Sequence, residues 1–207
     1  MLKAECNNFA EIRYVFLDRD GVINRDPGMG RFVSQWQDFR LLSCVEAAIA
    51  RLNQAGRKVI LVTNQRGVSL GLFSESDVEK LHQQLQDHLQ RNGARLDAIY
   101  CCTHDDGQCN CRKPLPGLFE LAFQDFPACH PGNSVMIGDS ITDIEAGVRL
   151  GMRTFLIQSE AAQARPGFER AAALADALVA SLADAVDRLL LPAAATNISK
   201  SQVGESR

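Results

Sequence analysis

Five short apolar runs set the rhythm of this chain: Tyr14-Val15-Phe16-Leu17, Val59-Ile60-Leu61-Val62, Ala98-Ile99-Tyr100-Cys101, Ser134-Val135-Met136-Ile137-Gly138 and Thr154-Phe155-Leu156-Ile157. Each has the length of a strand and little polar alternation, the pattern of strands buried on both faces. Between them the spacing turns helical. Val45, Ala48, Ile49 and Leu52 fall on one stripe that stops at Gly56, a C-terminal cap. Ser74-Glu75-Ser76-Asp77 offers N-cap residues for a helix to Asn92-Gly93, with Val78, Leu81, Leu85 and Leu89 on its buried face. Residues 116–126 and 143–150 read as two more helices, the second stopped at Gly151. Apolar strands alternating with amphipathic helices predict an α/β fold: a doubly wound, mainly parallel sheet with helices on both faces. A chain of 207 residues is long enough for one such domain and short for two.

The margins carry less pattern. Residues 1–11 read as a short N-terminal leader, 12–191 as the domain, and 24–42 as a loop bordering any site at the sheet edge. The Ala-rich stretch 170–191 predicts either a strand and helix or a single helix. Residues 192–207 carry Ser, Asn, Lys and Glu and no aromatic, as a disordered tail does. A formal charge of −3 gives no support to nucleic-acid or anionic-membrane partners. No apolar stretch approaches the ~18 residues of a membrane span, and the N-terminus lacks a secretion signal's apolar core. A monomer is expected.

Three of the runs end in chemistry. Asp18-Arg19-Asp20-Gly21 follows the first, Thr63-Asn64-Gln65 the second and Asp139-Ser140-Ile141-Thr142-Asp143 the fourth, while Arg112-Lys113-Pro114 leads into a helical pattern. Open α/β sheets bind ligands at the C-terminal ends of their strands. Two carboxylates held close repel each other and ask for a cation, although Asp-x-Asp alone also suits a solvated turn. Taken together, Asp-x-Asp, Thr, Lys and Asp-x-x-x-Asp, in this order and context, resemble the haloacid-dehalogenase-like (HAD-like) phosphatase superfamily over roughly residues 12–160.

The resemblance implies a Mg²⁺-dependent phosphatase working through an aspartyl-phosphate. Asp18 would be the nucleophile. Asp20 would protonate the leaving alkoxide and later take a proton from the attacking water. Mg²⁺ would be held by Asp18, the backbone carbonyl of Asp20 and Asp139; two carboxylates suffice because this ion keeps several waters. Thr63 would bond a phosphoryl oxygen, and Asn64, Gln65 and Arg66 would face substrate from the following loop. Lys113 would meet the charge on the transferring phosphoryl group. Asp143 either orients a water or Lys113 or caps the helix beginning near it. A signalling receiver domain also combines Asp, Thr and Lys on such a sheet, but it lacks a group equivalent to Asp20.

Seven cysteines are present, four of them within positions 101–111. Such clustering suits a metal site in a reducing compartment, the cytoplasm, better than a disulfide framework. Cys102, His104, Cys109 and Cys111 make a closed tetrahedral Zn²⁺ set on a loop over 101–113, a structural site, with Cys101 as the alternative to Cys102. Cys6, Cys44 and Cys129 have no partner pattern and read as core thiols. Cys-x-His…Cys-x-Cys-Arg-Lys-Pro resembles the branch that holds heptose 1,7-bisphosphate phosphatases and histidinol-phosphate phosphatases. Asp18 to Asn24 followed by Asp26, then Thr63 to Val68 with Gly71-Leu72-Phe73-Ser74-Glu75, and Asp97-Ala98-Ile99-Tyr100, are similar to the heptose enzymes. This implies a small sugar bisphosphate as substrate, its 7-phosphate removed, in supply of lipopolysaccharide or surface-glycan precursors. Asp26 would contact it and Arg112 would grip its distal part. Arg66 stands where a small residue is common; it would suit a second phosphate or be solvated. The short step from His104 to Cys109 is nearer the histidinol-phosphatase length, and Asp105 and Asp106 would suit that cationic substrate, the alternative reading. With no large cap insertion, the site would be open, bounded by 24–33, 66–73 and the zinc loop.

Overall fold

The computed structural model describes residues 9–191; the expected tail and residues 1–8 of the expected leader, Cys6 with them, lie outside this span. Six strands, β1 (Tyr14–Leu17), β2 (Lys58–Asn64), β3 (Ala98–Cys102), β4 (Ser134–Gly138), β5 (Arg153–Ile157) and β6 (Ala177–Val179), form one sheet in the order β3-β2-β1-β4-β5-β6. Every pairing is parallel; Phe16 of β1 sits between Ile60 of β2 and Met136 of β4. The helices are α1 (Val45–Gln54), α2 (Glu75–Arg91), α3 (Gly117–Asp125), α4 (Ile141–Leu150), α5 (Glu160–Gln163), α6 (Phe168–Leu174) and α7 (Leu182–Leu190).

Because strand side chains alternate, one sheet builds two cores. Val15, Leu17, Val59, Leu61, Val135 and Ile137 point into a layer closed by α1, α2 and α7 through residues such as Ile49, Leu85 and Val186. Phe16, Ile60, Val62 and Met136 point the other way, onto Leu118, Phe119 and Ala122 of α3 and Ala146 of α4. Leu156 of β5 meets Ile144 of α4 and Ala171 of α6 on that side. Each fully buried Leu, Ile or Phe stabilises by about 1.5–3 kcal/mol, so the unbroken apolar runs are what a doubly covered sheet requires.

Connectivity then positions the site. From β1 the chain adds β2 and β3 on one side, then crosses to β4, β5 and β6 on the other. The C-terminal ends of β1 and β4 therefore lie side by side where strand order reverses, the place where open sheets leave a crevice.

Several local outcomes differ from the sequence expectation. Helix α4 starts at Ile141 with Ser140 as its N-cap, ahead of the expected 143. The Ala-rich stretch begins inside α6, so its strand and helix (β6 and α7) are preceded by a further helix. Phe9–Glu11 forms a 3-10 turn whose Phe9 ring packs edge-on against Phe155 at 4.9 Å, within the core. Cys44 is exposed at the N-cap of α1, not a core thiol, whereas Cys129 is buried. Among the described residues no helix is long and apolar enough to cross a membrane.

Candidate functional site

Beyond Leu17 the chain leaves the sheet beside the end of β4, and it does so against Asp139. Gly21 has φ +90°, and a Cβ there would lie 1.8 Å from Asp139 Oδ2; both the backbone conformation and the contact demand glycine. This close approach gathers Asp18, Asp139 and Asp143, one oxygen of each within 4.8 Å of the others. Lys113 arrives from the loop after β3. Its Nζ donates to Asp18 Oδ1 at 2.8 Å, Asp143 Oδ1 at 2.6 Å and the Val62 carbonyl at 2.8 Å, which accounts for all three ammonium protons.

Charge is balanced tightly here. Burial works against the Lys113 ammonium, but Asp143 and Asp18 outweigh it and hold its pKa above the ordinary value. Burial pushes Asp18 up to about 6, with Lys113 pulling it back. Burial likewise holds Asp139 well above the usual carboxylate range, Arg165 opposing.

Asp143 does both jobs that the sequence left open. Its Oδ2 accepts from the Ser140 backbone N–H at 3.2 Å and hydroxyl at 2.6 Å, capping α4, while Oδ1 takes Lys113. Asp20 is held by three side chains: Arg19 Nη2 donates to its Oδ2 at 2.9 Å, Asn24 Nδ2 to Oδ1 at 2.8 Å and Gln65 Nε2 to Oδ2 at 3.1 Å. Arg19 is fully buried, with its guanidinium 5.8 Å from the Phe39 ring centre and also donating to the Val33 carbonyl.

Thr63 and Gln65 are buried in strand-end positions, and Gln65 Nε2 donates to Thr63 Oγ1 at 2.9 Å. That leaves the threonine hydroxyl proton for another acceptor. Asn64 brackets the Lys113 backbone, donating to its carbonyl and accepting from its N–H, both at 3.1 Å. Gln65 and Asn64 thus orient other site residues. Arg66 turns to Asp105 and does not line the cleft, whereas Arg112, paired with Asp106, does. Asp26 lines the cleft, paired with Arg165. The cleft itself encloses about 230 Å³ between Asp18, Asp20, Thr63, Lys113 and Arg165. A larger cavity of about 480 Å³, between β3 and α2, is bordered by His82 and Cys101 and contains none of the motif carboxylates.

Arg165 is the site residue that sequence reasoning missed. It lies between α5 and α6, where no period marks an element, and the one available cue was a basic side chain shortly after a strand ending at this edge of the sheet.

Two donor sets fit metal ions. Asp139 Oδ2 is buried with no hydrogen-bond partner, a free hard oxygen beside Asp18, as Mg²⁺ prefers. In the loop after β3, Cys102, His104, Cys109 and Cys111 converge, with sulfur–sulfur distances of 3.2 to 3.6 Å and His104 Nδ1 3.8 and 3.5 Å from Cys102 and Cys111. Bonds of ~2.0–2.3 Å to one tetrahedral ion imply donor separations of about 3.3–3.8 Å. Cys101 is outside the cluster: strand alternation turns it to the opposite face, and burial pushes its thiol up to about 12.

Comparison with known proteins agrees with this geometry. The HAD-hydrolase-like family profile matches residues 110–185. The chain is 38% identical to the D-glycero-beta-D-manno-heptose-1,7-bisphosphate 7-phosphatase of Vibrio cholerae over 184 residues, covering 85% of this chain and 95% of that protein. It is 40% identical over 132 residues to the alpha-heptose counterpart of Mycobacterium tuberculosis, covering 63% of this chain and 69% of that one. The crystal structure of the D,D-heptose 1,7-bisphosphate phosphatase of B. bronchiseptica, complexed with magnesium and phosphate, superposes with a TM-score of 0.78 at 31% identity, covering 86% of this chain and 98% of that one.

Proposed function

The chain belongs to the heptose-1,7-bisphosphate 7-phosphatase family of HAD-like hydrolases, and from that premise we propose that it removes the 7-phosphate of D-glycero-D-manno-heptose 1,7-bisphosphate. The observation that carries this reading is the convergence of Asp18, held by Lys113, with Asp20, Thr63 and the unpartnered Asp139 oxygen at one strand edge.

The residues take the following parts. Asp18, fixed through one oxygen by Lys113, attacks phosphorus and carries the phosphoryl group as an aspartyl-phosphate, dividing a very slow hydrolysis into two displacements. Asp20 gives its proton to the leaving sugar oxygen and recovers one from the water that attacks the intermediate; Arg19, Asn24 and Gln65 hold it in line for both. Thr63 donates its hydroxyl to a phosphoryl oxygen, and Lys113 offsets the charge that develops there. Asp18, the Asp20 carbonyl and Asp139 would hold Mg²⁺, which when bound neutralises and orients the phosphoryl oxygens. Cys102, His104, Cys109 and Cys111 would hold a structural Zn²⁺ that anchors Arg112 and Lys113. Arg112 and Asp26 contact the rest of the sugar. Asp105 and Asp106, the acids that a histidinol-phosphate reading needs, lie outside the cleft that Asp26 and Arg112 line, which favours the sugar bisphosphate.

The test is phosphate release with Mg²⁺ from both anomers of the heptose bisphosphate and from histidinol phosphate, with Asp18→Asn as the blank and ³¹P NMR to show which phosphate left. Preference for the heptose with the 7-phosphate released supports the reading. Preference for histidinol phosphate would reject it while keeping the same catalytic residues.

A further inference from the structure

We infer that Arg165 is a positioning residue for the catalytic metal site: its guanidinium clasps Asp139 and Asp26 and leaves one Asp139 oxygen for the ion. Arg165 Nη1 lies 2.9 Å from Asp139 Oδ1, and Nη2 lies 2.8 Å from Asp26 Oδ2. The two remaining oxygens differ sharply. Asp26 Oδ1 accepts from the Gly28 backbone N–H at 3.0 Å, which ties the clasp to the loop after β1. Asp139 Oδ2 is buried without a partner and faces the space that Gly21 leaves for lack of a Cβ. With Oδ1 held by Arg165, any rotation of the Asp139 carboxylate that turns Oδ2 out of this space breaks the ion pair, so Oδ2 is biased toward one direction.

The fork of a guanidinium is what this arrangement needs. Its two terminal nitrogens sit apart and each takes one carboxylate, whereas an ammonium donates from one point and bridges two carboxylates only where both converge on it, as at Lys113. Arg165 comes from the segment between α5 and α6, outside every motif that marks the site in the sequence. The clasp therefore couples three separate stretches of chain: the turn after β1, the end of β4 and the segment after β5. Partners that hydrogen-bond a ligating carboxylate typically account for 10–100-fold in metal affinity or activity.

This inference rests on Asp18 and Asp139 holding a divalent ion. Its test uses the full-length, zinc-loaded protein and Mn²⁺ as a paramagnetic probe, with free Mn²⁺ measured by EPR across a titration at neutral pH. Arg165→Met and Arg165→Lys should each weaken Mn²⁺ binding about tenfold or more. Asp26→Asn, which frees one arm of the clasp, should weaken it in the same direction by less. The Mg²⁺ concentration for half-maximal turnover should rise in parallel, with kcat in Arg165→Lys recovering at saturating Mg²⁺. Tighter or unchanged binding in Arg165→Met would mean that Arg165 merely competes for the carboxylate, and would overturn the proposal. Wild-type affinity in Arg165→Lys would overturn it too, since charge alone would then suffice. Should Arg165→Met fail to fold, the lysine and Asp26 variants decide. Wild-type binding that Asp139→Asn does not weaken would instead remove the metal-site reading, and this inference with it.

Discussion

Lys113 shows how much one buried side chain can settle. Its ammonium is satisfied by two carboxylates and a carbonyl, so it is the counter-charge that both carboxylates share. Removing that shared cation leaves buried carboxylates uncompensated, which costs about 3–5 kcal/mol, whereas losing Asp18's charge leaves Lys113 paired with Asp143. Lys113→Met should therefore lower the urea-unfolding free energy by about that amount as well as abolish phosphate release. Asp18→Asn should behave differently: no turnover, yet a melting temperature close to wild type, because a neutral amide replaces a carboxylate that burial already disfavours. His82 supplies a pH signature. Burial, reinforced by Arg19 and opposed by Asp20, lowers its pKa to about 3, against about 6.5 in an unfolded chain. Between those values the unfolded state binds a proton that the folded state refuses. The neutral histidine's stability is thus complete above about pH 6.5 and declines by ~1.4 kcal/mol per pH unit below it. Urea-unfolding free energies at pH 6.5 and pH 5 should differ by about 2 kcal/mol less in His82→Gln than in wild type; equal differences would show that His82 is not held neutral.

Elements differ in how plainly the sequence announces them. Strands β1, β2, β4 and β5 are buried on both faces, so apolar content alone revealed them, and α2 carries both its stripe and a capping box in which Ser74 and Asp77 exchange bonds at 3.2 and 2.9 Å. Ser74→Ala should cost that helix about 1 kcal/mol in chemical denaturation. The C-terminal layer was less legible because an alanine-rich run gives little apolar contrast to mark a strand or a helical stripe, and β6, three residues long, is set by pairing with β5 and not by its own pattern. The same logic explains the site. Asp18, Asp20, Thr63, Lys113 and Asp139 were readable because each adjoins a recognisable strand or motif. Arg165 was not, since only tertiary folding brings its segment to Asp139, and the inward turns of Asn64 and Gln65 depend on neighbours remote in sequence. In the loop after β3, the convergence of Cys102 and not Cys101 with His104, Cys109 and Cys111 follows from strand alternation at the end of β3. Loop order there should come mainly from the metal, whose binding free energy in such sites is roughly 10–16 kcal/mol. Cys109→Ser should lose zinc, stability and the placement of Lys113 together; zinc content by atomic absorption that stayed at one per chain would refute the ligand assignment.

At the level of the whole molecule, the site is distributed across nearly the full described chain. Its side chains run from Asp18 to Arg165 and come from the ends of β1, β2 and β4 and the segments after β3 and β5. No fragment holds it, and the sheet must close before the carboxylates and cations meet. Ligand binding at that edge is therefore linked to folding of the entire unit, because the unfolded chain lacks the site. At a ligand concentration of 100 Kd the folded state gains ~2.7 kcal/mol. For a domain of this size each kcal/mol moves the melting temperature by about 2–4 °C, so Mg²⁺ with orthophosphate should raise it by about 5–10 °C. Asp139→Asn should erase that rise by removing a proposed ligand for the ion, while Ser74→Ala, outside the cleft lining, should melt lower yet keep the full increment. A rise that persisted in Asp139→Asn would place phosphate elsewhere on the surface, because the proposed function puts the ion and the phosphoryl oxygens together in the crevice between β1 and β4.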